Sequence, residues 1–420
     1  MAKKRYLDLS IALVFCLAIW ASHLTGWCEL PDGLCYDLLV QLTPGQKKST
    51  DDILLLKVDY SKYAEGDAVW LNLLNTMEEM QPKAVVFSFL PGQTSREFYS
   101  QADQAGNVFF ARQFDPNNSA DSLEPLPEQA QGLDLIIGLL ASPPTSYGIH
   151  RRYQYGYSTP EGYAPSLAQA VFTKLTHNTP QEQTGRTDSF LVNFFSCSPS
   201  IPRLEYERLL SGNIPTDLVQ GKIILLEFNL PLYFHGLETP VNMGAENMSP
   251  VEYIGYALET LLEEKAPTPV HATTELILLL LLTVACLVFY RILPPVHHLA
   301  CGLGSLVTLL LLSWGMARFF LIWPPVAEML IIQVFFLLFM PIMQVIQREQ
   351  QNKKLLVEHS TSLQKHFFPE SVIETSEYWD YIINMVSQTL HLERSIFLEA
   401  IHGEHRVKEV VALNCSINDI

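Results

Sequence analysis

Between residues 274 and 346 the chain carries three apolar runs, 274–293, 299–317 and 326–346, separated by little more than the proline pairs Pro294-Pro295 and Pro324-Pro325. A helix needs about 20 apolar residues to cross a bilayer. Stretch 276–282 contains only leucine and isoleucine and has no polar face, so these runs predict membrane helices rather than a buried helical hairpin. Proline pairs suit the tight turns between them, where no backbone donor is required. A fourth run, 7–27, follows Lys3, Lys4 and Arg5. It is longer than the ~7–15-residue core of a secretion signal and lacks a clear cleavage site, so it reads as an uncleaved anchor, with a cleaved signal as the alternative.

Composition agrees with this reading. Charged residues make up 17% of the 420-residue chain, against ~25% in soluble domains. Basic residues flanking membrane helices mark the cytoplasmic side. Lys3, Lys4 and Arg5, then Arg291, then Arg348, Lys353 and Lys354 form three such groups, and Arg318 falls on the opposite side. The expected topology is a cytosolic segment 1–6, a membrane helix 7–27, an extracytoplasmic domain 28–272, membrane helices 274–293, 299–317 and 326–346, and a cytosolic C-terminus. The chain would thus be a multi-pass protein of a cell (inner) membrane, in contact with membrane lipid.

Residues 28–272 hold 15 Lys plus Arg against 30 Asp plus Glu, which supplies −15 of the chain's net charge of −17. So acidic a surface excludes nucleic acid as a partner, because phosphate binding needs clustered cations. Within this domain, 51–59 and 221–227 read as strands buried on both faces, and 82–89, 107–111, 132–137 and 190–195 as further strands. Helices are expected at 68–80, 166–175 and 251–264, the last amphipathic and leading towards the second membrane helix. Segment 115–131, rich in Pro, Asn, Ser and Glu, reads as an exposed loop. Strand, helix and strand at 51–89 form a βαβ unit with parallel strands and a right-handed crossover. The fold class is an α/β extracytoplasmic domain, with a mixed or parallel sheet and flanking helices, joined to four membrane helices and a small α+β tail.

Four passages resemble the CHASE2 family of extracytoplasmic sensory domains in bacterial receptors: Ile53-Leu-Leu-Leu-Lys-Val-Asp59 followed by Trp70; Pro82-Lys-Ala-Val-Val-Phe87; Ile214-Pro-Thr-Asp-Leu-Val-Gln-Gly-Lys-Ile-Ile-Leu-Leu226; and Thr239-Pro240 followed by Val251-Glu-Tyr-Ile-Gly-Tyr-Ala-Leu-Glu-Thr-Leu-Leu262. That family places one membrane helix before the domain and three after it, as here. The chain departs from the family pattern at Ser88, where relatives carry an acidic residue, and at Glu227, where they favour glycine. The resemblance implies a sensory receptor that detects a small-molecule or protein signal, and a homodimer as its assembly.

Candidate ligand contacts are few. Asp59 ends the first strand at the carboxyl edge where open α/β sheets bind ligands, with Tyr60, Ser61 and Ser88 expected nearby; the alternative for Asp59 is a cap of the following loop. Arg151 and Arg152, among tyrosines, either receive an anionic or planar ligand or neutralise neighbouring carboxylates. His235 lies in a loop and is either a contact or simply solvated. Cys28 and Cys35 could close a small disulfide loop or stand as two free thiols. No Cys/His ligand spacing, Gly-x-Ser-x-Gly or His-Glu-x-x-His occurs, so no metal, no cofactor and no enzymatic activity is expected within these residues.

Segment 347–368 reads as a signalling helix ended by Pro369, and 371–420 as a helix followed by a β-hairpin, similar to the opening of a GAF domain. The function expected is a membrane receptor that passes an outside signal to a cytosolic output domain, with a cyclase, kinase or phosphatase as candidate effectors further along the chain. A membrane-tethered extracytoplasmic enzyme and a scaffold for partner membrane proteins are the alternatives.

Overall fold

The computed structural model describes residues 2–43, 52–91, 94–115, 122–141, 145–177, 189–195, 201–212, 214–229, 236–241, 247–367, 376–400 and 407–415. The chain divides into two compact units, Met1–Leu338 and Phe339–Ile420.

The first unit is organised by a six-stranded sheet. Its strands are β1 (Ile53–Asp59), β2 (Ala84–Phe87), β3 (Val108–Arg112), β4 (Ile136–Leu139), β5 (Arg203–Glu205) and β6 (Ile223–Asn229). They pair in the order β5-β1-β6-β2-β3-β4, every pair parallel. Parallel strands are buried on both faces, and the sequence supplies side chains for two cores. Ile53, Leu55, Val86, Phe109, Ile223 and Leu225 enter one core; Leu54, Leu56, Val58, Phe87, Phe110, Ile224 and Leu226 enter the other. The alternation within each strand follows from the two-residue period of β structure.

Helices cover both faces. Against the second core lie α3 (Asp67–Met80) and α4 (Arg96–Ala105), whose Trp70, Leu73, Leu74, Met77 and Phe98 are buried. Against the first lie α2 (Glu29–Gln41), α5 (Leu167–Thr176) and α6 (Pro250–Leu262). Serine caps start three of these helices: Ser95 accepts from the Phe98 N–H, Ser166 from that of Gln169, and Ser249 from that of Glu252. Such a cap satisfies one otherwise orphaned donor and contributes about 1 kcal/mol. Helix α5 approaches β4 so closely that a Cβ on Gly138 would sit 2.5 Å from the Leu167 Cα.

The parallel relation expected of β1 and β2 holds, with a strand between them, whereas the readings of 190–195 and of the last helix change. Strands β1 and β2 are parallel but not neighbours, because β6 inserts between them with a seven-residue register against β1. The segment expected as strand 190–195 forms Ser189–Leu191, which pairs antiparallel with Arg152–Gln154 outside the main sheet. Helix α6 is buried at every position from Glu252 to Leu261 rather than along one face. It also does not run on into the membrane helix. The chain breaks at 263–271, where Thr268–Pro269 pairs with Ile322–Trp323.

Helices α1 (Ala2–Leu24), α7 (Ala272–Ile292), α8 (His298–Phe320) and the first part of α9 (Val326–Phe367) pack beside one another. Among the described residues, α7, α8 and α9 are long and apolar enough to cross a membrane, whereas the described apolar part of α1, Leu9–His23, is shorter. At 21 residues, α7 is about 31 Å long, close to the hydrocarbon thickness of a bilayer. Phe15 of α1 stacks on Phe335 of α9. Gln333, buried in α9, donates to Tyr290 Oη of α7 and to Ser305 Oγ of α8, and accepts from Cys286 Sγ. Such polar links hold apolar helices together where the hydrophobic effect offers no preference.

In the second unit, α10 (Ser376–Leu390) precedes the antiparallel strands Ser395–Ala400 and Val407–Leu413. Trp379 packs on Phe397 and Ser387 bonds Ser395, giving the helix-then-hairpin order read from the sequence.

Candidate functional site

Two regions hold polar groups with no evident scaffolding role. At the carboxyl edge of the sheet, Asp59 and Tyr60 are exposed. Asp59 Oδ1 accepts from the Ser61 N–H at 3.3 Å, the loop cap that was the alternative reading of Asp59. The Tyr60 ring packs edge-on against Phe228. Ser88 is buried after β2. Because β6 separates β1 from β2, Asp59 and Ser88 stand about 10 Å apart across the sheet. The four residues Asp59, Tyr60, Ser61 and Ser88 therefore do not converge on one ligand-sized point.

The expected cationic patch is not present as such. Arg151 is buried and grips Asp37 of α2 with two bonds, Nε to Oδ1 at 2.7 Å and Nη2 to Oδ2 at 2.6 Å, while Nη1 donates to the Ser146 carbonyl. Asp37 and Gly33 lie one helical turn apart on α2. The guanidinium rests over Gly33, where a Cβ would come within 2.9 Å of its central carbon. All of this charge is consumed inside the fold. Arg152 is half-buried, and its carbonyl accepts from Tyr253. His235 lies outside the described residues.

Cys28 and Cys35 are free thiols. Cys28 immediately precedes α2 and Cys35 lies within that helix, so seven residues of helical rise, about 10 Å, hold them too far apart to bridge. Burial pushes the Cys35 thiol up to about 11.

The second region is the end of the helix bundle that meets the sheet domain. Trp323 Nε1 donates to Asp32 Oδ2 of α2 at 2.6 Å, and its ring meets Tyr36 edge-on at 5.1 Å. Trp314 of α8 donates to Thr43 Oγ1 just beyond α2. Burial raises the Asp32 carboxyl to about 6, against the opposing bond from Trp323. Beside this joint, His23 in the last turn of α1 meets Glu275 in the first turn of α7 and Glu328 in the first turn of α9. The Nδ1–Glu328 Oε1 distance is 2.7 Å and the Nε2–Glu275 Oε2 distance is 3.5 Å. One ligand atom from each residue lies within 4.8 Å of the others, a donor set able to hold a metal ion.

Sequence reasoning missed this cluster. Its members are separated by 252 and 53 positions, so no local spacing reveals them. The available signal is an acidic residue in the first turn of two apolar helices, where the helix dipole favours negative charge, together with a histidine at the end of a third.

The CHASE2 domain model matches residues 11–290, which is two-thirds of the chain. The chain belongs to the CHASE2 family. No curated protein and no solved structure matches it. CHASE2 is a family of extracellular sensory domains, and the match takes in the sheet domain, most of α1 and nearly all of α7. With the apolar helices that follow, this marks the chain as a membrane-associated CHASE2 sensor.

Proposed function

We propose that this CHASE2 protein is a transmembrane receptor whose parallel-sheet domain, residues 28–272, lies outside the cytoplasm of a bacterial inner membrane. In this reading α1, α7, α8 and α9 all span the bilayer and both termini are cytosolic. The sheet domain perceives a small-molecule or protein signal, and the four helices carry it to an output domain coupled through the GAF-like tail, with two copies of the chain working as a dimer. The observation that carries the reading is the joint at Asp32, Tyr36, Thr43, Trp314 and Trp323, which bonds the first helix of the domain to the ends of the apolar helices. A change in how α2 packs on the sheet alters those bonds. A signal acts through its different affinity for two such packings.

The chain is not proposed to be an enzyme. Catalysis would need a nucleophile and a base within hydrogen-bond reach, and the separation of Asp59 from Ser88 by β6 favours the receptor. The test is a reporter cyclase fused after residue 420, with output recorded in cells as outside conditions vary. Replacing 44–267 by an unrelated domain, with α2 and the helices kept, should abolish the response. An unchanged response would refute the proposal.

A further inference from the structure

We propose that His23, Glu275 and Glu328 form a binding site for a divalent transition-metal ion of the zinc class, at the end of the helix bundle facing the sheet domain. The site is built from three helices. α1 supplies its last turn, and α7 and α9 each supply their first, so the three side chains arrive from different directions at one point.

Burial gives the first reason for a cation. Glu328 is fully buried and Glu275 is 3% exposed. In each carboxylate one oxygen faces His23, while the other, Glu275 Oε1 or Glu328 Oε2, has no partner at hydrogen-bond geometry among the described residues. Each such oxygen shares a carbon with the one facing His23 and is therefore held in the same cluster. Carboxylates removed from water are strongly destabilised unless paired. A single imidazolium balances one negative charge and leaves the other. One divalent ion with neutral imidazole balances both.

Ligand chemistry selects the metal. Calcium and magnesium prefer cages made of oxygen alone, whereas an imidazole nitrogen with carboxylate oxygens suits zinc and its neighbours. Around a tetrahedral zinc, bonds of about 2.0–2.1 Å put ligand atoms roughly 3.3 Å apart. The present ligand atoms, all within 4.8 Å of one another, reach that spacing by side-chain rotation. Three protein ligands leave a fourth position for water, and the His23 side chain, 44% exposed, opens the site on that side. Asp32, half-buried close by and bonded to Trp323, adds negative potential without being needed as a ligand.

A bound ion would cross-link α1, α7 and α9 where they meet the domain. This site stands or falls independently of whether the protein is a receptor. The experiment uses the full chain in nanodiscs, stripped with EDTA at pH 7.5 and titrated with Zn²⁺ against a chromophoric zinc chelator and by calorimetry. One zinc per chain is expected, displaced by neither Ca²⁺ nor Mg²⁺ in large excess, together with a zinc-dependent rise in melting temperature. Glu328→Gln and His23→Gln should each weaken binding at least tenfold and remove that rise, while Glu349→Gln on the exposed face of α9 should change neither. X-ray absorption on the zinc-loaded wild type should show nitrogen and oxygen neighbours and no sulfur, a readout that survives even if Glu328→Gln does not fold. Absence of stoichiometric zinc, a sulfur shell, or wild-type affinity in folded His23→Gln protein would overturn the proposal.

Discussion

Replacing Asp37 with alanine leaves the Arg151 guanidinium charged inside the protein with one carbonyl for company. The Arg151 and Asp37 side chains are 7% and 4% exposed, and two bonds of 2.7 and 2.6 Å join them. Breaking a buried pair from one side costs about 3–5 kcal/mol, because the remaining charge is desolvated without compensation. A folded domain is stable by only about 5–15 kcal/mol, so this one change removes a large share. For a domain of this size each kcal/mol moves the midpoint by about 2–4 °C, and a fall of roughly 10 °C is expected. The assay is thermal unfolding of the full chain in detergent, followed by tryptophan fluorescence. The double variant Asp37→Leu with Arg151→Met removes both charges and should recover most of the loss, since an apolar pair of similar volume is about as stable as the ion pair. A fall below about 2 °C for Asp37→Ala, or a double variant no better than the single one, would show that the guanidinium has another partner or reaches water.

Three further outcomes follow from the same geometry. Gly138→Ala should lower stability by about 1–3 kcal/mol in the same melt, because its Cβ would collide with backbone of α5 at Leu167. Cys35, with its thiol raised by burial from 9.0 to about 11, should react with iodoacetamide at pH 8 about 100-fold more slowly than an unperturbed thiol, and about tenfold faster for each pH unit up to 10, as read by peptide mass spectrometry. Arg203 pairs with buried Glu252 at 2.6 Å, whose carboxyl is already raised by burial. Removing the cation by Arg203→Met raises that carboxyl further above its unfolded value. Stability is then lost as pH rises through the interval between those values, so the variant should be weaker than the wild type at pH 8 and should approach it as the pH falls to 4.5. An equal deficit at both pH values would contradict this.

How much of the fold was legible depended on the element. β1 and β6 could be read because strands buried on both faces must be continuously apolar, and the helices 68–80 and 166–175 because their apolar spacing is local. The insertion of β6 between β1 and β2 could not be read, since two apolar strands carry no mark of which parallel neighbour each will take. The segment at 190–195 has the composition of a core strand, yet its first part pairs with Arg152–Gln154. There the tertiary packing on α6 and α2 overrides strand propensity. The site residues were harder still. A positively charged pair such as Arg151-Arg152 looks alike in sequence whether it faces solvent or an aspartate 114 positions earlier.

The sequence alone determined the class of the molecule. Its apolar runs are too long and too uniform for water, its acidic excess is confined to one domain, and the alternation of strand and helix there implies a parallel sheet. These properties are sums over many residues, and no single contact changes them. Tertiary structure decided what each polar residue is for. It buried Arg151 against Asp37, stretched Cys28 and Cys35 along one helix, spread Asp59 and Ser88 across an intervening strand, and gathered His23, Glu275 and Glu328 from three helix ends. A charged group is defined by its neighbours, and in this chain those neighbours lie up to 305 positions away.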